Sequence, residues 1–105
     1  MLSIASTPKP PYYAVIFTSL RTGGDHGYSE MAKKMDKLAG KQPGFLGIES
    51  VRENLGITVS YWDSLEAIKH WKANMEHMEA QKSGREHWYS AFKVRIAKVE
   101  RDYGI

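Results

Sequence analysis

The sequence predicts an α+β protein in which two helices cover one face of a four-stranded antiparallel sheet. Three observations support this prediction. The chain has 105 residues, enough for one domain; its segments follow the order β-α-β-β-α-β; and both helical segments carry apolar residues at helical spacing. This order fits a ferredoxin-like sandwich, a split βαβ arrangement. A domain of this size buries a modest core, so association with a second copy is a natural way to bury more apolar surface.

The first part of the chain is predicted to contain an arm, a strand and a helix. Residues 1–11 combine prolines with small polar residues and are expected to form a flexible arm ahead of a single domain at residues 12–105. Residues 12–20 are aromatic, β-branched and nearly apolar on both faces, as in a central strand. Asp25 is the predicted N-cap of the first helix, and Gly40 its predicted end. The apolar residues of this helix recur at helical spacing: Tyr28, Met31, Met35 and Leu38.

The second part is predicted to be a hairpin, a helix and a last strand. Residues 45–53 and 57–62 flank a short link containing a glycine, which indicates an antiparallel hairpin. Asp63, with Glu66 three residues later, predicts the N-terminus of the second helix, which extends to about Ser83. The last strand follows from alternating apolar residues: Phe92, Val94 and Ile96.

Composition excludes several classes of function. The chain has no cysteine, so a disulfide framework, a zinc–thiolate site and a thiol nucleophile are excluded. Its net charge of +3 is small and spread along the chain, which does not favour a nucleic-acid partner. RNA-recognition domains share the element order, but the aromatic run here falls on the second strand rather than the third. No apolar run approaches the ~20 residues of a membrane span, and the expected location is the cytoplasm.

The second face of the predicted sheet indicates a homodimer. Two helices cover only one face, yet the first and third strands are apolar on both. An uncovered apolar face usually marks an interface. A two-fold dimer is the commonest symmetric way to cover such a face.

A polar stripe on the second helix is the candidate wall of a small-molecule pocket. Four residues at spacing i, i+4, i+7 and i+11 form it: His70, Asn74, His77 and Gln81. The stripe lies beside the apolar residues of the same helix, where a half-buried pocket would have its wall. The alternative is an ordinary solvated flank, which is favoured for His70. The two histidines are about 10 Å apart along the axis, so no metal site is expected.

Three tryptophans are the other candidate pocket residues. Trp71 has the register of a core residue, and a core role is the favoured alternative. Trp88 lies in the link after the second helix, where it either closes the mouth of a pocket or packs the last strand. Trp62 ends the third strand.

Several segments resemble the antibiotic-biosynthesis-monooxygenase superfamily. The run from Tyr61 to Asn74, followed by His77, is similar to its strand–helix signature, and Pro43 to Gly47 is similar to its PGF.G entry to the second strand. Gly84-Arg85 and Trp88-Tyr89 match one subgroup. The resemblance implies a dimeric α+β barrel that oxidises small aromatic or polyketide-like molecules with dioxygen, without metal or flavin.

On this resemblance, the catalytic candidates are His77 as base or anion partner and Asn74 as a hydrogen-bond donor. The substrate-binding candidates are Trp62, Trp71, His70, Gln81 and Trp88.

Haem binding and a non-catalytic ligand-binding dimer are the alternatives. A haem-cleaving branch of the superfamily uses an Asn on the first strand and a His about ten residues after the helix tryptophan. Here residues 12–20 contain no Asn, and Gln81 stands ten residues after Trp71. The protein is therefore expected to use no cofactor, and haem is the alternative.

Overall fold

The computed structural model describes residues 3–25, 27–82 and 88–105, without the side chains of residues 76–82. The elements are β1 (Tyr12–Arg21), α1 (Tyr28–Gly40), β2 (Phe45–Arg52), β3 (Leu55–Trp62), α2 (Leu65–Lys82) and β4 (Tyr89–Val99). The four strands form one sheet in the order β2-β3-β1-β4, and all three ladders are antiparallel. The predicted α+β fold and element order are thereby confirmed.

The strand register decides which side chains face the helices. Val15 of β1 lies opposite Ser60 of β3 and Ile96 of β4, and Phe17 lies opposite Thr58. Because side chains alternate along a strand, these residues share one face of the sheet, here called the helix face. The residues between them form the second face.

The core lies where the first turns of α2 cross the helix face. Trp62 is fully buried there, and its ring stacks on that of Trp71 with centroids 5.9 Å apart. Phe45 meets Trp62 edge-on at 5.4 Å. The indole N–H of Trp62 donates to Ser60 Oγ at 2.9 Å, so this large side chain is buried with its polar atom satisfied.

The first turns of both helices differ from the prediction. Ser64, not Asp63, caps α2: its hydroxyl oxygen accepts the backbone N–H of Ala67 at 3.1 Å. In α1 the cap position is Gly27. Asp25 precedes it, and its carboxylate accepts the N–H groups of Gly27 and Ser29, both at 3.2 Å. Both predicted caps were therefore wrong in position, although Asp25 still contributes to the first turn of α1.

The strand boundaries also differ slightly. Only residues 53 and 54 separate β2 from β3, so β3 begins at Leu55 rather than at residue 57. The last strand begins at Tyr89, three residues before the predicted start, and a bulge shifts its register between Leu20 and Arg21 of β1. Within the described residues, no helix combines the length and apolarity needed to cross a membrane.

The N-terminal segment, expected to be flexible, has defined contacts with the second face. The backbone N–H of Ala5 donates to the carboxylate of Glu49 at 2.8 Å, and the hydroxyl of Tyr61 donates to the same carboxylate at 2.6 Å. In the C-terminal segment, Asp102 accepts a hydrogen bond from the Tyr12 hydroxyl at 2.6 Å. Both terminal segments therefore cover part of the face opposite the helices.

Candidate functional site

A cavity of about 200 Å³ lies between the helix face of the sheet and the two helices. Its floor comes from all four strands: Val15, Phe17, Ile48, Thr58, Ser60 and Val94. Its roof comes from the two helices: Met31, Ala32, Met35, Ala39, Trp71 and Met75. The lining is mainly apolar with a few polar groups, which is the usual character of a small-molecule site.

Short side chains create the space. Ala32 and Ala39 on α1 line the cavity from one side, and Thr58 and Ser60 on β3 line it from the other. Longer side chains at these positions would fill it. The thioethers of methionine adapt easily to a ligand's shape, so the roof suits an irregular apolar molecule.

One end of the cavity is aromatic. The Tyr89 ring meets Phe17 at 5.3 Å and Tyr28 at 5.8 Å between centroids. Tyr28 also meets Trp88 edge-on at 6.1 Å. All four side chains line the cavity, and the two tyrosines place their hydroxyl groups at this end.

Tyr89 is held as a neutral hydrogen-bonding group beside Tyr28. Burial raises the pKa of Tyr89, and a hydrogen bond with the Tyr28 hydroxyl raises it further. The Tyr89 phenol therefore stays protonated near neutral pH and can donate to an oxygen of a ligand.

Arg21 fixes the backbone around this end. Its Nε donates to the carbonyl of Trp88 at 3.0 Å, and one terminal nitrogen donates to that of Gly24 at 3.0 Å. The guanidinium carbon lies 3.6 Å from the centre of the Tyr28 ring, a cation–π contact. Arg21 thus ties the start of β4 and the loop before α1 to β1.

Asp36 is the one carboxylate in the described lining. It stands on α1 at the exposed rim, one turn after Ala32. Partial burial against the apolar lining raises its pKa above the ordinary 3.8. A carboxylate of raised pKa beside a cavity is a candidate proton acceptor.

The structure places the predicted site residues unequally. Trp71 and Trp88 line the cavity. Trp62 lies behind it, fully buried in the core. His70 is exposed on α2. The amide of Asn74 donates to Gln42 Oε1 at 3.1 Å, which joins α2 to the loop after α1 instead of facing the cavity. The side chains of His77 and Gln81 lie outside the described part of the structure.

Sequence reasoning missed three of the polar lining residues: Tyr28, Asp36 and Tyr89. Spacing alone assigns Tyr28 to an apolar stripe and Tyr89 to a link. For Asp36 a signal existed, since a lone carboxylate follows Met35 directly beside the apolar stripe of α1. Within the described residues, no three His, Asp or Glu side chains cluster as metal ligands would.

The sheet and its two helices define a ferredoxin-like α+β domain with an apolar cavity between the helices and the sheet. A family model for antibiotic biosynthesis monooxygenases matches residues 11–83, more than half of the chain. The chain belongs to this family. A protein of Bacillus subtilis (strain 168), the uncharacterised YqjZ, is 56% identical over 100 residues, covering 93% of this chain and 88% of that one.

Solved structures share the fold. SnoaB, a cofactor-independent oxygenase from Streptomyces nogalater, superposes with a TM-score of 0.71 at 13% identity, covering 89% of this chain and 97% of SnoaB. A variant of MhuD with two manganese protoporphyrin IX molecules bound per active site superposes with a TM-score of 0.63 at 24% identity. The match covers 88% of this chain and 98% of the MhuD chain. At these identities the likeness establishes the fold alone.

Proposed function

We propose that this protein is a cofactor-independent monooxygenase acting on a small aromatic or polyketide-like molecule with dioxygen. The observation that carries the proposal is the cavity, which is walled by aromatic and methionine side chains and has Asp36 and two tyrosine hydroxyls at its edge. Family membership and the described activity of SnoaB support the same reaction class. Substrates of this kind are flat and apolar, and the cavity lining is likewise mainly apolar.

The chemistry asks little of the protein beyond binding and deprotonation. An electron-rich aromatic with an acidic O–H or C–H loses a proton, and its anion reacts with dioxygen more readily than the neutral molecule does. If a ring methylene becomes a carbonyl, one oxygen atom enters the substrate and the other leaves as water with the two methylene hydrogens. The protein orients the substrate, accepts the proton and donates hydrogen bonds to the anion.

Asp36 and His77 are the two candidates for the proton acceptor. Asp36 lines the cavity and has a raised pKa, so it is a stronger base than an ordinary aspartate. His77 on α2 remains the proposal from the sequence. In this proposal Tyr28 and Tyr89 donate to the developing anion, and Trp71 and Trp88 hold the aromatic rings.

Asp36→Asn is expected to lower oxygen uptake with a turnover substrate by at least about tenfold, since general-base catalysis contributes roughly 10²–10⁴. In the unaltered protein, turnover should rise with pH through the pKa of Asp36, because only the ionised carboxylate accepts a proton. That rise should lie above the ordinary aspartate value of 3.8.

Glu30→Gln is the matched control, because Glu30 lies on the same helix, is exposed and does not line the cavity. Unchanged uptake in Asp36→Asn together with a large loss in His77→Ala would transfer the role to His77. No oxygen uptake by the unaltered protein, despite binding of aromatic molecules, would favour a non-catalytic ligand-binding protein.

Haem fits the described residues poorly. The cavity, about 200 Å³, is smaller than the roughly 300–1,000 Å³ of pockets that take drug-sized ligands. This volume favours a small organic substrate over haem.

We further propose that the protein is a homodimer. Four residues of the second face form an exposed apolar patch, here called the second-face patch: Leu20, Val51, Leu55 and Ile57, which are 42%, 67%, 49% and 37% exposed. Leu20 pairs with Leu55 and Val51 with Ile57, so the patch is continuous across β1, β3 and β2. Contiguous apolar surface of this kind usually marks an interface.

Val51→Glu is expected to convert the protein from dimer to monomer in sedimentation experiments at micromolar concentration. Burying the new charge at an apolar interface is costly, whereas the 67% exposed side chain contributes little to the fold of one copy. Leu65→Glu is the control: Leu65 is 55% exposed on α2, on the other side of the sheet. If both variants sediment as the unaltered protein does, the second-face patch is not the interface.

A further inference from the structure

We propose that Arg52 is an anion-binding residue at one end of the cavity, and that the molecule bound there is an aromatic carboxylate. The inference deepens the proposed function and rests on it, since it concerns the substrate class of the same cavity. It follows from the path of the Arg52 side chain, its place on the sheet and the hydrogen-bond donors that it has left for a ligand.

The Arg52 side chain lies flat across the helix face. Arg52 ends β2, and its guanidinium group reaches over β3 to Ser19 of β1, donating to the Ser19 carbonyl at 3.4 Å and to the Ser19 hydroxyl. This path crosses Gly56. A Cβ at Gly56 would overlap the guanidinium carbon and lie 2.6 Å from Nε of Arg52. The glycine therefore leaves the space through which the arginine reaches the middle of the sheet.

The guanidinium lies on Ser19, which is the next residue on this face of β1 after Phe17 and is itself outside the cavity lining. Ser19 follows Phe17 by two residues on the same face of β1, about 7 Å along the strand. Ser19 also pairs with Phe92 of β4, and both phenylalanines line the cavity. The positive charge of Arg52 acts on the Tyr89 hydroxyl, where it opposes the rise in pKa that burial causes. Arg52 is thus within electrostatic reach of a residue in the cavity wall.

Arg52 has hydrogen-bonding capacity left for a ligand. A guanidinium carries five N–H donors, and within the described part of the chain this one donates to Ser19 alone. The residue is half-buried, and Ser19 beneath it is 2% exposed. A partly desolvated cation without a counter-charge is costly, and a carboxylate that meets two of its parallel N–H groups offsets that cost.

Arg21, the other arginine near Tyr89, differs in each respect. It donates to the carbonyl oxygens of Trp88, Gly24 and Asp25 and stacks on a tyrosine ring. Its donors are occupied by the backbone that it holds together. Among the described residues, the available cation at this end of the cavity is therefore Arg52.

The test compares two probes of nearly equal shape, 2-naphthoate and 2-naphthamide, by isothermal titration calorimetry. The unaltered protein is expected to bind the anion at least tenfold more tightly than the amide. Arg52→Gln should abolish this preference and leave the amide affinity within about twofold. Arg52→Lys should restore part of it, because the charge returns without the planar fork.

Gly56→Ala separates position from charge. It keeps the arginine but displaces the guanidinium, so most of the preference for naphthoate should be lost. Because Arg52 also joins β2 to β1, its replacement can lower stability. The melting temperature of each variant is therefore measured, and affinities are compared at a temperature at which all variants are folded.

The outcomes distinguish this inference from the proposed function. Equal binding of both probes by the unaltered protein, unchanged in Arg52→Gln, would overturn the role of Arg52 and leave the cavity as an aromatic site. A naphthoate preference that survives in Arg52→Gln would also overturn it. If neither probe binds, the inference is overturned together with the proposed function.

Discussion

Gly44→Ala is expected to lower the free energy of unfolding by about 2–5 kcal/mol, combining a left-handed backbone with overpacking. Gly44 has φ of +86°, a conformation that alanine adopts only with strain. An added Cβ would also overlap the carboxylate of Asp63 and lie 2.6 Å from Cβ of Ala67. The Asp63 carboxylate ends an exposed side chain and can rotate away, but Cβ of Ala67 is fixed to the backbone of α2 and cannot move without displacing the start of that helix.

The position of Gly44 explains why one methyl group should cost so much. Its carbonyl accepts the backbone N–H of Asp63 at 2.8 Å, which joins the start of β2 to the segment between β3 and α2. Phe45 and Trp62, which pack edge to face in the core, flank this junction. Displacing the backbone here separates the elements that bury Trp62, the largest fully buried side chain among the described residues.

Gly40→Ala is the matched control for this prediction. Gly40 ends α1 without a positive φ, and a Cβ added to it would have open space within 4 Å among the described residues. Alanine there should raise the free energy of unfolding by about 0.5–1 kcal/mol, because glycine is the more flexible residue in the unfolded chain. Urea denaturation measures both variants. Equal small changes at the two positions would contradict the steric account of Gly44.

Most of the fold was predictable because its signals are local. The spacing of Met31 and Met35 predicts α1, and alternation predicts β4 from Phe92 onward. The prediction of a helix boundary was wrong where two adjacent residues are both suited to be the N-cap. Asp63 and Ser64 are both good N-caps, and only the path of the backbone from Gly44 decides between them.

The site was harder to predict because it is made of residues that are far apart in sequence. The polar stripe predicts a pocket wall on the flank of α2, where His70 is exposed and Asn74 instead bonds to Gln42. Helical spacing shows which residues share a flank, but it does not show which neighbour that flank meets. The cavity depends on short side chains, such as those of Ala32 and Thr58. The space that a short side chain leaves unfilled produces no pattern in the sequence.

Ala32→Phe is expected to abolish ligand binding, lowering the affinity for 2-naphthoate by at least tenfold while the fold is retained. Ala32 is half-buried on α1 and lines the roof, so a benzyl group there takes the space of the ligand's ring. Isothermal titration calorimetry measures the loss. Ala73→Phe is the control, because Ala73 is exposed on α2 and does not line the cavity.

Stability and binding should change in opposite directions in Ala32→Phe, which makes the result specific. Filling an apolar cavity without strain commonly adds about 0.5–2 kcal/mol of stability. If the cavity is only a packing defect, Ala32→Phe raises the melting temperature and there is no binding to lose. If it is the substrate site, the same change raises the melting temperature and removes binding and oxygen uptake together. A variant that binds naphthoate as well as the unaltered protein would place the ligand outside this cavity.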